Sequence, residues 1–277
     1  MGIKRAIADL VESLTGTKIV MPRQVALVFE QEHLKRFLES AKTAGVRVPS
    51  QDKLNRELER ALENFPPSPL SSPPFSGRGK GEGRDTNDEN DVFVRLSAWR
   101  DQVFVMIGQR KHPEAIYQTG VALKTSPVRR TLSNAAPAAI KTTAYHNAFL
   151  ASLEPAGTEI YESVFLDANG LVTEVRIGNL FIVKEKKLFT PPEPGILNGV
   201  TRKFVIECAL HEKIQVKEVF LSRHDIYNAE EAFLTNTSWE ILPIRELDSR
   251  AIGVKIPGPM TTRLQRIFKQ KVKKECP

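Results

Sequence analysis

At 277 residues the chain is too long for one small core and suits two modest domains. Its 41% hydrophobic and 26% charged residues are ordinary for a soluble globular protein; no run is apolar enough to span a membrane, and two cysteines, Cys208 and Cys276, are too few for a disulfide framework. The net charge of +7 raises nucleic acid as a partner, but much of the excess sits in RLQRIFKQKVKK, which reads as a solvated helix whose cations favour its own C-terminal dipole, so neither nucleic acid nor membrane is expected as a partner.

In chain order, MGIKRAIADLVESL starts basic, but Asp9 and Glu12 interrupt what would be the apolar core of a signal peptide, and a cytoplasmic location is expected. VALVFE reads as a short apolar strand. QEHLKRFLESAKTAG then repeats Leu34, Phe37, Leu38 and Ala41 at helical spacing. Gly45 ends that helix and Ser50 is placed to cap the next, QDKLNRELERALENF. Residues 66–91 (PPSPLSSPPFSGRGKGEGRDTNDEND) carry almost nothing to bury and are expected to be a disordered surface insertion. Two strands follow in VFVRLSAWRDQVFVMIGQR, joined by a turn at Arg100-Asp101.

The second half alternates strands and helices. SVFLDANG, LVTEV and GNLFIVKEKKLFTPP read as strands and turns, GVTRKFVIECALHEK as a helix, and IQVKEVFL as a strand. DIYNAE is short and helical, AFLTNT and EILPIRELD are strands, and TTRLQRIFKQKV is a final helix after a Pro-Gly-Pro stop. Strands with helices packed on them give an α+β or mixed α/β class, divided at about residue 125 into an N-terminal α/β domain (1–125) and a C-terminal α+β domain (126–277).

The chain has no GxGxxG, P-loop or GxSxG, and its five histidines never pair at metal-ligand spacing, so no metal site is expected. Four short segments in the second half carry the candidate chemistry. In IKTTAYHNAFLA, apolar Ala138, Ala139 and Ile140 lead to Lys141, and an amine buried there is nucleophilic enough to attack a carbonyl carbon. In DANGLVTEVRIGNLFIV a tight turn feeds a strand in which Glu174 has apolar neighbours and needs a partner if buried. In GILNGVTRKFVIE, Gly199-Val200-Thr201 opens a helix whose free N–H groups suit a phosphate dianion. In AFLTNTSWEILPI, Thr235 to Ser238 offer hydroxyls and loop amides for a second phosphate cradle.

Taken in order, these segments resemble the class IV aminotransferases, which use pyridoxal 5'-phosphate in fold type IV; the match runs over about residues 128–270. The resemblance implies a two-domain α+β architecture, here with a shortened N-terminus. It implies that Lys141 carries the cofactor, that Tyr145 meets its phenolic oxygen, and that Glu174 pairs with the pyridine nitrogen. Asn179 completes a Glu-x4-Asn pattern, Val200 and Thr201 hold the phosphate through a Gly-Val-Thr-Arg turn, and Thr237 and Ser238 form the second phosphate loop. LVFEQEHLKRFLESAKTAGVRVP resembles the family's E-H-L-x-R-x-x-x-S-A helix, and VFVRLSAWRDQV the strand that brings an arginine, here Arg95, toward the substrate carboxylate. Thr15 stands where the pattern places a phosphate-gripping arginine, and Arg23 and Lys18 are the candidate substitutes.

The tail PIRELDSRAIGVKIPGPMTTRLQ is most similar to branched-chain members. The implied reaction is transfer of an amino group between a branched-chain-like amino acid and a 2-oxo acid, by a homodimer. A tyrosine four residues beyond Lys141 also resembles lyase members, which makes 4-amino-4-deoxychorismate lyase the runner-up. The non-enzymatic alternative is a folded relative that does not bind the cofactor and acts only as an interaction protein.

Overall fold

The computed structural model describes residues 28–63, 93–100, 102–108, 112–132, 135–144, 146–154 and 159–275. The expected insertion 66–91, together with Thr15, Lys18, Arg23, Tyr145 and Cys276, lies outside these residues.

A small N-terminal layer comprises helices α1 (Glu30–Thr43) and α2 (Gln51–Glu63) and a hairpin of β1 (Phe93–Trp99) and β2 (Gln102–Gly108). Leu34, Phe37 and Leu38 share one face of α1, as the helical spacing requires, and meet Leu54 and Leu58 of α2. The hairpin alternates: Val94, Leu96, Val103 and Val105 join this cluster, while Arg95, Trp99, Phe104 and Met106 point the other way and are exposed. Arg95 lies opposite Met106 in the register.

After a short helix α3 (Ala115–Thr119), the chain builds one nine-stranded mixed sheet. Its strands are β3 (Val121–Thr125), β4 (Ile160–Leu166), β5 (Val172–Val175), β6 (Asn179–Lys184), β7 (Lys187–Thr190), β8 (Val216–Glu218), β9 (Glu231–Asn236), β10 (Glu240–Leu247) and β11 (Arg250–Ala251). The order is β5-β4-β3-β10-β9-β6-β7-β8, with β11 on β10. The remaining helices are α4 (His146–Leu153), α5 (Val200–His211), α6 (Arg223–Tyr227) and α7 (Pro259–Glu275).

The central strands are buried on both faces, which is why LFIV and AFL read as unbroken apolar runs. Leu180 and Ile182 face one cluster, with Leu123, Leu234 and Leu242. Phe181 and Val183 face the other, where α5 and α7 supply Phe204, Val205, Leu264 and Phe268. Phe181 stacks on Phe233 with ring centroids 5.0 Å apart.

Three local expectations change. Strand β3, not foreseen, lies between β4 and β10 and parallel to both, so the large sheet begins before the expected boundary at residue 125. The strand expected over IQVKEVFL shrinks to Val216–Glu218, because only those residues pair with β7. Val28 and Phe29, read as the end of a strand, instead form a turn into α1, with Phe29 at φ 56°.

That unusual backbone places the Phe29 ring 4.3 Å from Phe204 and 6.3 Å from Phe268, inside the core beneath the large sheet. Helix α1 is thereby fixed against the second half of the chain, and its His33, Arg36 and Ser40, at spacings of three and four residues, share one side. The backbone N–H of Lys141 donates to Ser40 Oγ at 3.0 Å. Arg36 Nη2 lies 3.2 Å from His33 Nδ1, and His33 Nε2 lies 3.4 Å from Thr237 Oγ1. Because a guanidinium can only donate, Nδ1 accepts and the ring proton sits on Nε2.

Burial, then the charges of Arg36 and Lys141, pull the His33 pKa down from 6.5 to about 4. A depressed histidine pKa contributes stability that is present above the unfolded value and is lost as pH falls toward the folded one. Urea denaturation of the wild type and His33→Gln should therefore give a difference that shrinks between pH 7 and pH 4.5. After discounting for partial exposure, the expected change is on the order of 1 kcal/mol. A difference that stays constant over that range would show that His33 does not titrate in this way.

Candidate active site

A cleft opens where α1, the segment holding Lys141, the β5–β6 turn, the start of α5 and the end of β9 converge. Its enclosed part measures about 80 Å³. Lys141, Glu174, Asn179, Val200, Thr201 and Thr237, all singled out from the sequence, line it together.

Glu174 is the buried charge of the cleft. Its residue surface is only 7% exposed. Arg130 Nη2 lies 2.8 Å from Oε1, the Leu197 N–H donates to Oε2 at 3.0 Å, and Asn179 Nδ2 approaches Oε2 at 3.4 Å. Burial raises the Glu174 pKa overall, against the opposing pull of Arg130, the Leu197 hydrogen bond and the Lys141 charge. Asn179 is held in turn by donating to the Leu197 carbonyl at 2.9 Å. It sits opposite Thr235 where β6 pairs with β9, so the sheet register sets the floor of the cleft.

The start of α5 forms a second wall. Gly199 is the N-cap, in extended backbone, with no side chain capping the first turn. A Cβ at this position would fall 2.2 Å from Asn179 Oδ1, so only glycine lets the helix end approach the strand this closely. The leading N–H groups of a helix have no intrahelical acceptor, and here Val200 and Thr201 line the cleft. Thr235 also lines it, and its Oγ1 is buried with no hydrogen-bond partner among the described residues. Arg36 of α1 supplies a cation to the same cleft.

Lys141 departs from expectation. Ala138 is buried and Ile140 half-buried, as the apolar approach predicts, but Lys141 is exposed. It occupies an irregular segment before α4, well past the end of β3 at Thr125. One backbone bond to Ser40 ties the residue down while its side chain stays at the open side of the cleft.

Beside the cleft, Arg176 Nε pairs with Glu162 Oε1, which also accepts the Ser163 N–H at 2.9 Å. The Glu162 side chain is 1% exposed, so Arg176 neutralises a charge that would otherwise be stranded. Its pKa is raised by burial, with Arg176 as the main opposing influence.

Two predicted residues are not brought in. Ser238 does not line the cleft, and its N–H donates to Asn236 Oδ1 at 2.9 Å. Arg95 stands on the open face of the hairpin. Conversely, Arg130, Arg36 and Arg176 belong to the cleft or its supports and were not singled out. The spacing of His33, Arg36 and Ser40 on one helix face was the available signal for Arg36. No local signal marks Arg130, whose partner lies on a strand formed much later in the chain.

Comparison with known proteins places this geometry. The family described as "Amino-transferase class IV" matches residues 15–247. The chain is 31% identical over 250 residues to the branched-chain-amino-acid aminotransferase of Pseudomonas aeruginosa, covering 89% of this chain and 79% of that protein. It is 38% identical over 213 residues to a Thermotoga maritima protein described as a probable branched-chain-amino-acid aminotransferase, covering 76% of this chain and 77% of that protein. Among solved structures it is similar to the branched-chain aminotransferase of the thermophilic archaeon Thermoproteus uzoniensis with norvaline, at TM-score 0.71 and 26% identity over 90% of this chain and 80% of that one. The fold with its mixed sheet, the cleft and these matches agree: the chain belongs to the class IV aminotransferases, the pyridoxal 5'-phosphate-dependent transaminases of fold type IV.

Proposed function

We propose that this chain exchanges an amino group between branched-chain amino acids and a 2-oxo acid, with the cleft as its active site. The observation that carries the proposal is the meeting of the Lys141 amine, a buried carboxylate at Glu174 and the uncapped start of α5 in one cleft. These groups fit pyridoxal 5'-phosphate by charge and by donor type. Bound there, the cofactor supplies a carbonyl for the amino group and an electron-withdrawing ring.

Each residue has a part. Glu174, kept in place by Arg130, Leu197 and Asn179, presents a carboxylate to the ring nitrogen and favours its protonated form. The N–H groups of Val200 and Thr201, with Thr237, the orphaned Thr235 hydroxyl and the Arg36 cation, take the phosphate. Arg36 thus fills the role for which Arg23 and Lys18 were considered. Tyr145 supplies the remaining cofactor contact that the resemblance assigns. Lys141 Nζ holds the cofactor and then carries the proton to and from the substrate Cα.

The substrate side is assigned to the open hairpin face. Arg95 is exposed there beside Phe104 and Met106, and one cation among apolar side chains suits a carboxylate attached to a branched hydrocarbon. The enclosed cleft of about 80 Å³ is small beside the ~300–1,000 Å³ of ordinary ligand sites, so more wall is required than one copy's described residues provide. A second copy is the natural source. Phe149 and Leu153 of α4 are 59% and 64% exposed, with Leu150 of the same helix also exposed, an apolar surface suited to a cytoplasmic homodimer.

Purified protein should bind pyridoxal 5'-phosphate with a visible-edge absorbance band and transfer amino groups from leucine, isoleucine and valine to 2-oxoglutarate. Borohydride should label Lys141, and Lys141→Ala should lower kcat by about 10²–10⁴; labelling at another lysine would overturn the assignment, and release of pyruvate without amino transfer would point to the lyase. Arg95→Ala should raise KM for both substrates about tenfold while the unfolding free energy moves by less than about 0.5 kcal/mol, as for other exposed residues; unchanged KM would remove Arg95 from the site. In sedimentation, the wild type should run as a dimer and Phe149→Glu as a monomer with weakened activity. A wild-type monomer with full activity would exclude the shared site.

A further inference from the structure

A second concavity of about 710 Å³ lies away from the cleft, bounded by the loop after β3, the start of α6 and the β10–β11 turn. Arg129, Arg223 and Arg250 line it, with His224 beside them, against a single carboxylate, Asp248. That carboxylate is engaged from within. Oδ1 accepts the Thr125 N–H at 2.6 Å, and Oδ2 accepts the hydroxyls of Thr125 and Tyr227 at 2.6 and 2.7 Å. Burial alone would raise the Asp248 pKa, but the hydrogen bonds from Thr125 and Tyr227 and the Arg223 charge outweigh it and hold the group ionised.

The arginines are otherwise arranged. Arg130, Arg176, Arg202, Arg245 and Arg263 each hold a carboxylate elsewhere in the fold. Arg129 and Arg250 instead donate to backbone oxygens: Arg129 Nη1 to Ser126 and Pro127 at 3.2 and 3.3 Å, Arg250 Nη1 to Asp248 at 3.1 Å. Arg250 also lies over the Tyr227 ring, 4.7 Å from its centroid. Among the described residues both side chains are thus oriented without a carboxylate partner, and their other N–H groups make no further hydrogen bond. The Arg223 side chain is exposed and makes no hydrogen bond among the described residues, acting on Asp248 only through its charge.

We propose that this basin binds a small phosphate-bearing anion, at a site separate from the cofactor cleft. The planar fork of a guanidinium matches phosphate oxygens two at a time, and two of the three forks are already positioned, so less freedom is lost on binding. The volume falls in the ~300–1,000 Å³ range of small-ligand sites.

Inorganic pyrophosphate is the probe, titrated by calorimetry at low salt into full-length protein saturated with pyridoxal 5'-phosphate, so that the cofactor cradle is filled. One site per chain is expected, weakened at least tenfold in Arg223→Ala/Arg250→Ala and unchanged in Arg95→Ala. The cofactor absorbance and thermal midpoint report whether the double variant is folded; if it is not, Arg129→Ala replaces it and should weaken binding about fivefold. No heat at millimolar pyrophosphate, or equal binding by folded variants, overturns the proposal. Because heat and not turnover is read, a chain inactive as a transaminase can still show the site, and an active one can still lack it.

Discussion

The arrangement depends on keeping a negative charge inside the protein. Glu174 sits on a strand with apolar neighbours, where an isolated carboxylate costs several kcal/mol. Arg130, the Leu197 N–H and Asn179 offset that cost from three directions. Each partner constrains a different segment: the loop after β3, the turn before α5, and the first residue of β6. The walls of the cleft are therefore placed by the same contacts that make the charge tolerable, and a positively charged ring would add a partner to a group already prepared for one.

The large sheet gives these contacts a rigid base. With both faces of β6 and β9 covered, the pairing of Asn179 with Thr235 cannot slip by one residue without exchanging Phe181 and Phe233 for Leu180 and Leu234 across the sheet. Gly199 then brings the end of α5 to the strand at a distance no side chain would permit. Position along the strand, and not a flexible loop, decides where the helix N–H groups point.

Much of this was legible in the sequence, for a physical reason. Lys141, Glu174, Asn179 and the Gly-Val-Thr-Arg turn occur in short segments whose local pattern carries their meaning, and the apolar runs of the central strands announce burial on two sides. Contacts between distant segments were not legible. Nothing near Arg130 tells that it will meet Glu174, and Arg36 lies in a helix that reads as amphipathic surface. Strand β3 was missed because Val-Ala-Leu is short and follows a helix of only five residues. The exposure of Lys141 could not be inferred from its apolar approach, because Ala138 turns inward while the backbone at 141 is fixed by a serine on another helix.

The seat of Phe29 has a bearing on the order in which the protein is made. Its aromatic partners, Phe204 and Phe268, lie on α5 and α7, far later in the chain. Until those helices have emerged from the ribosome, α1 can pack on α2 and the hairpin but not on the core beneath the large sheet. The seat that fixes α1 against the second half of the chain therefore closes only after α5 and α7 have formed, and a chain cut short before α7 would lose one of the two rings that hold Phe29.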